Sequence, residues 1–118
     1  MADELTIPEC LYHWSPSSRR KSIRKRGLMP GKKSVDGSWC PPVICLATSA
    51  ELAWSLSGRN HPNIPEWDLW AVYLDEGHQT EVLFDDRYEE DVIKEVRVYD
   101  RIYKRGVWYV ASRSSNGL

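Results

Sequence analysis

Apolar positions in this chain cluster into short runs rather than long helical stripes, which predicts more strand than helix. Leu11-Tyr12-His13-Trp14-Ser15-Pro16 reads as an aromatic strand beginning at Cys10 or Leu11 and halted by its proline. Ser17 or Ser18 then suits a cap for a helix running to about Arg26, with Gly27 and Leu28 expected to form a Schellman stop. Met29 to Pro42, rich in Pro, Gly, Lys and Ser around Trp39, predicts a long loop over a surface or a site. Val43-Ile44-Cys45-Leu46-Ala47 lacks polar alternation, as expected of a strand buried on both faces near the middle of a sheet.

Thr48-Ser49-Ala50-Glu51 has capping-box spacing and opens a second helix that should end at Gly58. Asn60 to Pro65 connects to a strand over 68–74, and Asp75 to His78 forms a turn. Glu81 to Phe84 is a short strand, 85–92 an acidic connection, and Glu95 to Tyr99 a strand with valines on one face and Glu95 and Arg97 on the other. Val107 to Ala111 supplies a final strand before a frayed tail. The sum is an α+β chain of about six strands and two or three short helices: a lead-in over 1–9, one domain over 10–112 and a tail over 113–118.

A length of 118 residues suits one domain with its own core. The acidic start and short apolar runs predict neither a signal peptide nor a membrane span, so the expectation is a cytoplasmic monomer. A net charge of −1 hides a sorted distribution. Arg19, Arg20, Lys21, Arg24, Lys25, Arg26, Lys32 and Lys33 crowd the first third, and acids dominate Asp75 to Asp100. The basic cluster reads either as a phosphate or nucleic-acid footprint or as a solvated helix face.

Cys10, Cys40 and Cys45 make an odd count without a disulfide framework or a metal knuckle, and Cys10 and His13 fall on opposite faces of one strand, so no metal is expected. His13 is suited to hold a substrate hydroxyl, or else it packs with one ring nitrogen on backbone. Arg20 and Arg24, one helical turn apart, could clamp a phosphate. His61 and His78 fall in loops and should be exposed. Trp54, Trp70 and Trp108 lie within regular elements and should be core, whereas Trp14 and Trp39 could stack on a base.

The ordered set Leu11-Tyr12-His13, Ile23 with Gly27-Leu28, Val43 to Ser49 with its following helix, and the late strand with Glu95 resembles the ADP-ribosyltransferase superfamily. It is similar in pattern to small bacterial and phage transferases and to RNA 2′-phosphotransferases. The resemblance implies two small packed sheets forming a cleft for NAD. It gives His13 the histidine position that holds the adenine-side ribose, sets Thr48 and Ser49 near nicotinamide, and makes Glu95 the carboxylate that stabilises positive charge as nicotinamide leaves. The binding set it implies is His13, Trp14, Ser15, Arg20, Arg24, Thr48 and Ser49, with a protein or nucleic acid as acceptor. Two positions depart from the pattern: Trp14 stands where the family commonly has glycine, and Cys45 or Leu46 where it has an aromatic. They keep a second expectation open, a non-catalytic nucleotide-, nucleic-acid- or protein-binding module. For Glu95 the alternative is a solvent-facing residue paired with Arg97 or Lys94.

Overall fold

The computed structural model describes residues 7–31, 43–56, 63–89 and 92–114. Trp39, Cys40, Lys32, Lys33, Gly58 and His61 lie outside these residues, as does most of the expected long loop. The chain is α+β, with two three-stranded antiparallel sheets. Strands β1 (Cys10–Pro16), β3 (Glu66–Tyr73) and β6 (Val107–Ser114) form one sheet in the order β1-β3-β6. Strands β2 (Ile44–Leu46), β5 (Ile93–Val98) and β4 (Thr80–Phe84) form the other in the order β2-β5-β4. Helices α1 (Arg20–Arg26) and α2 (Ala50–Leu56) follow β1 and β2. No helix among the described residues is long and apolar enough to cross a membrane.

Central position explains the composition of β3, in which every residue from Trp67 to Val72 is buried, because both faces of that strand are covered. On one face Leu11, Trp70 and Val72 pack with Ile44, Leu46, Val96 and Val98 of the other sheet and with Ile23 of α1. On the opposite face Trp14, Trp67 and Leu69 pack with Ala47 and with Ala53 of α2. The two sheets meet where Tyr12 and Ala47 exchange backbone hydrogen bonds of 2.8 and 3.0 Å. Through that seam β2, though an edge in its own sheet, lies beside β1.

Several local expectations are corrected. Neither Ser17 nor Ser18 caps α1; a 3-10 turn over Ser17–Arg19 precedes it, and the Ser17 hydroxyl is used by Asp68 instead. The Schellman stop is replaced by a tertiary contact, since the Leu28 N–H donates to Ile102 rather than back to the helix. Ser49, not Thr48, caps α2, accepting from the Leu52 N–H at 3.1 Å. Strand β6 runs to Ser114, past the expected boundary at 112, because Trp67 and Glu66 pair with Arg113 and Ser114. Trp108 is not core: it lies 60% exposed on β6, an edge strand of its sheet.

Gly27 shows how tight the α1 exit is. Its φ is 80°, and a Cβ there would sit 2.0 Å from the Ile102 carbonyl oxygen and 2.8 Å from the Lys104 nitrogen. Both atoms belong to the backbone and cannot rotate away. Gly27→Ala should therefore separate α1 from the 102–104 segment and lower the melting temperature by on the order of 10 °C. A thermal melt followed by circular dichroism checks this; an unchanged melting point would mean the close approach is not needed.

Candidate active site at the seam between the sheets

The geometry centres on His13, one residue past the Tyr12–Ala47 bridge. Its Nδ1 lies 2.9 Å from the Cys45 carbonyl oxygen on β2. A carbonyl only accepts, so Nδ1 carries the proton. Burial pushes the imidazole pKa below its ordinary 6.5, and the charge of Arg19 pushes the same way against the opposing effect of the carbonyl bond. The ring is thus neutral near pH 7, with Nε2 left as a hydrogen-bond acceptor. Trp70, directly across from His13 in the register, is buried, and its indole N–H has no partner among the described residues.

The remaining expected residues divide between the two faces. Ser15 and His13 share one face of β1, and Ser15 is buried opposite Asp68. Trp14 is on the other face: its indole N–H donates to the Ala50 carbonyl at 2.8 Å, and its ring meets Trp54 edge-on at 5.1 Å. It is therefore core between β1 and α2, not a stacking surface beside His13. Thr48 follows the bridge residue Ala47, so chain connectivity holds it at the seam, and Ser49 spends its hydroxyl on the α2 cap.

Glu95 is buried rather than solvent-facing, and Arg97 Nε donates to its Oε2 at 3.0 Å. Of the two alternatives, pairing with Arg97 is observed while exposure is not. Cys45 pairs with Arg97 and Leu46 with Val96, so continuing the register by one residue sets Ala47 beside Glu95. Alternation then gives Glu95 the face of Ala47 and Tyr12, and His13 the face of Leu46 and Val96. No hydrogen bond joins His13 to Glu95 among the described residues. Their link runs through β2, whose Cys45 offers its carbonyl to His13 and its cross-strand position to Arg97.

A polar centre that the sequence reading passed over lies on the His13 face. Asp68 is fully buried and accepts from Ser17 Oγ at 2.7 Å, Arg20 Nε at 2.9 Å, Arg20 Nη2 at 2.8 Å and Ser112 Oγ at 2.6 Å. Burial raises its pKa, but the bonds from Arg20, Ser112 and Ser17 outweigh that and hold it at about 2. Because Ser112 gives its one proton to Asp68, the Tyr109 hydroxyl must be the donor in the bond between Tyr109 and Ser112. Arg20 is thus committed to an internal carboxylate, which removes it from the expected phosphate clamp, while Arg24 lies over the Tyr109 ring at 5.3 Å. The signal was present: an acid between Trp67 and Leu69 in an apolar run requires buried partners.

No protein-family model matches the sequence, and no curated protein is significantly similar to it.

Two pH-dependent outcomes follow. The folded pKa of His13 lies below its unfolded value, so between the two the unfolded chain binds a proton that the fold rejects. Its contribution is full above pH 6.5 and falls as pH drops through 6.5 toward the folded value. Melting temperatures from pH 7.5 to 5 should decline, and His13→Gln should flatten the decline; an equal slope in the variant would show another group to be responsible. Asp68 is likewise shifted downward, adding stability above pH 3.8 that is lost as pH falls toward 2. Asp68→Ala leaves Arg20 only the exposed Glu66 at 3.8 Å as counter-charge and should lower the melting temperature by on the order of 10 °C at pH 7, with less difference from wild type at pH 2.

Proposed function

We propose that this chain binds NAD beside His13 at the seam of β1 and β2 and transfers its ADP-ribosyl portion to a macromolecule, or uses NAD to remove a 2′-phosphate from one. The single observation that carries the reading is His13, a neutral imidazole whose Nδ1 is locked on the Cys45 carbonyl and whose Nε2 is an acceptor. A sugar hydroxyl is the ligand group such an acceptor takes, and the fixed tautomer means no proton must be rearranged on binding. The two small sheets meeting at a seam are consistent with the superfamily the sequence resembles. In this reading Thr48 borders the ligand, and Glu95 supplies negative charge where positive charge develops as nicotinamide departs.

A second reading has its own observation. Glu95 is engaged by Arg97 and alternates onto the face opposite His13. That arrangement favours a module that binds a nucleotide without cleaving it.

Calorimetry with NAD and mass spectrometry of released nicotinamide separate the two. The transferase reading expects binding and release, with release lost in Glu95→Gln while binding remains. Binding without release would establish the module, and absence of binding at millimolar NAD would defeat both. His13→Ala should stay folded and weaken binding by about 1–3 kcal/mol, the cost of losing a hydrogen bond in a desolvated site. A destabilised variant with full affinity would instead make His13 a packing residue.

A further inference from the structure

The 101–103 segment, the 3-10 turn over Lys104–Gly106 and the start of β6 follow one another along the chain, and the proposed NAD site does not use them. Mutual backbone bonds between Leu28 and Ile102 tie the start of this stretch to the chain leaving α1, and Arg101 Nε donates to the Arg26 carbonyl at 2.9 Å. Cations and exposed rings follow one another along it: Arg101 lies over Tyr103 at 4.5 Å, Lys104 and Arg105 come next, and Tyr103 is 56% and Trp108 60% exposed, whereas Arg24 over Tyr109 occupies the face of β6 opposite Trp108. Arg24, Lys104 and Arg105 have no ion pair among the described residues. Of the acids along this part of the chain, Asp75 is paired with His78, and Asp100 accepts from the Gln79 N–H. Beside this surface a cleft of about 250 Å³ is lined by Tyr73, Tyr103, Arg105, His78, Ile102 and Asp75, among others.

We infer that this surface binds single-stranded nucleic acid, with phosphates on Lys104 and Arg105, bases stacked on Tyr103 and Trp108, and one base entering the cleft. Exposed aromatic rings interleaved with unpaired cations match a polyanion that also carries flat rings, and they match a single strand because paired bases have no free faces to stack. The cleft has room for one base, and its single lining acid, Asp75, is paired with His78 at 2.9 Å. An acidic peptide would satisfy the cations but leave Tyr103 and Trp108 without their partner. This inference stands apart from the NAD reading, because the site needs neither His13 nor Glu95.

Fluorescence anisotropy with labelled oligo-dT and oligo-U of equal length, and with a duplex of each, tests it on the full chain. Single strands should bind more tightly than duplexes, and the comparison of dT with U identifies which nucleic acid is preferred. Lys104→Gln and Arg105→Gln should each reduce the slope of log affinity against log salt by about 0.7. Tyr103→Ala or Trp108→Ala should weaken single-strand binding about tenfold at fixed salt, whereas Tyr103→Phe, which keeps the ring, should not. Both rings are exposed, so melting temperatures of the alanine variants should match wild type. Equal affinity for duplex and single strand, indifference to Tyr103 and Trp108, or full competition by polyglutamate would each overturn the inference. If His13→Ala abolished strand binding, the site would be the seam and not this surface.

Discussion

Two backbone bonds between Tyr12 and Ala47 decide much of this architecture. Each sheet has three strands, too few to bury two faces alone, and the seam lets the pair share one core through Leu11, Trp70, Leu46 and Val96. Because β2 is only three residues long and tied to β5 along its other edge, its pairing with β1 reduces to a single bridge among the described residues. The Cys45 carbonyl two residues earlier points the same way as that of Ala47. It accepts a hydrogen bond from the His13 ring, which reaches it from the side. The same geometry that joins the sheets therefore fixes the tautomer of the imidazole, which is why structural and ligand-binding roles for His13 are not exclusive.

The coarse α+β class, the order of elements and the apolar face of β5 were legible in the sequence because they rest on local periodicity. The α1 and α2 starts were misread for a common reason: Ser17 and Thr48 each have the chemistry of a cap, but a tertiary partner or a neighbouring serine took that place. Gly27 was legible as a helix end, while the partner that requires it, the Ile102 carbonyl, is 75 residues away and invisible to any local pattern. Trp108 misled because an aromatic in a strand signals burial only if that strand is covered, and edge position is a property of topology. For the site, His13 could be singled out from its chemistry alone, whereas the relation of His13 to Glu95 depends on register across the seam.

Charge follows the same division between local and long-range. The basic run after β1 invites one reading for all its members, yet Arg20 and Arg24, on one helix face, have different fates. Arg20 reaches inward to complete the shell of Asp68, and Arg24 stays outside on the Tyr109 ring. Tyr109 connects them, since its ring carries both guanidinium groups and its hydroxyl donates into the Asp68 network through Ser112. The buried carboxylate thus anchors the strand whose outer residues remain available to solvent, and the cations it does not neutralise are those left on the surface.

Glu95 and Arg97 raise a related question of what a buried ion pair is for. Removing a carboxylate from water costs several kcal/mol, and the partner's attraction repays this only with good geometry and further hydrogen bonds. The Asp68 carboxylate has four such bonds, which accounts for its burial in structural terms. Glu95 receives one from Arg97, through Oε2, on a strand whose other face already supplies Val96 and Val98 to the core. An apolar residue at 95 would serve packing at least as well. Stability therefore gives a sufficient reason for Asp68 and an insufficient one for Glu95, and that difference, more than its place in any pattern, is the physical argument for seeking chemistry at Glu95.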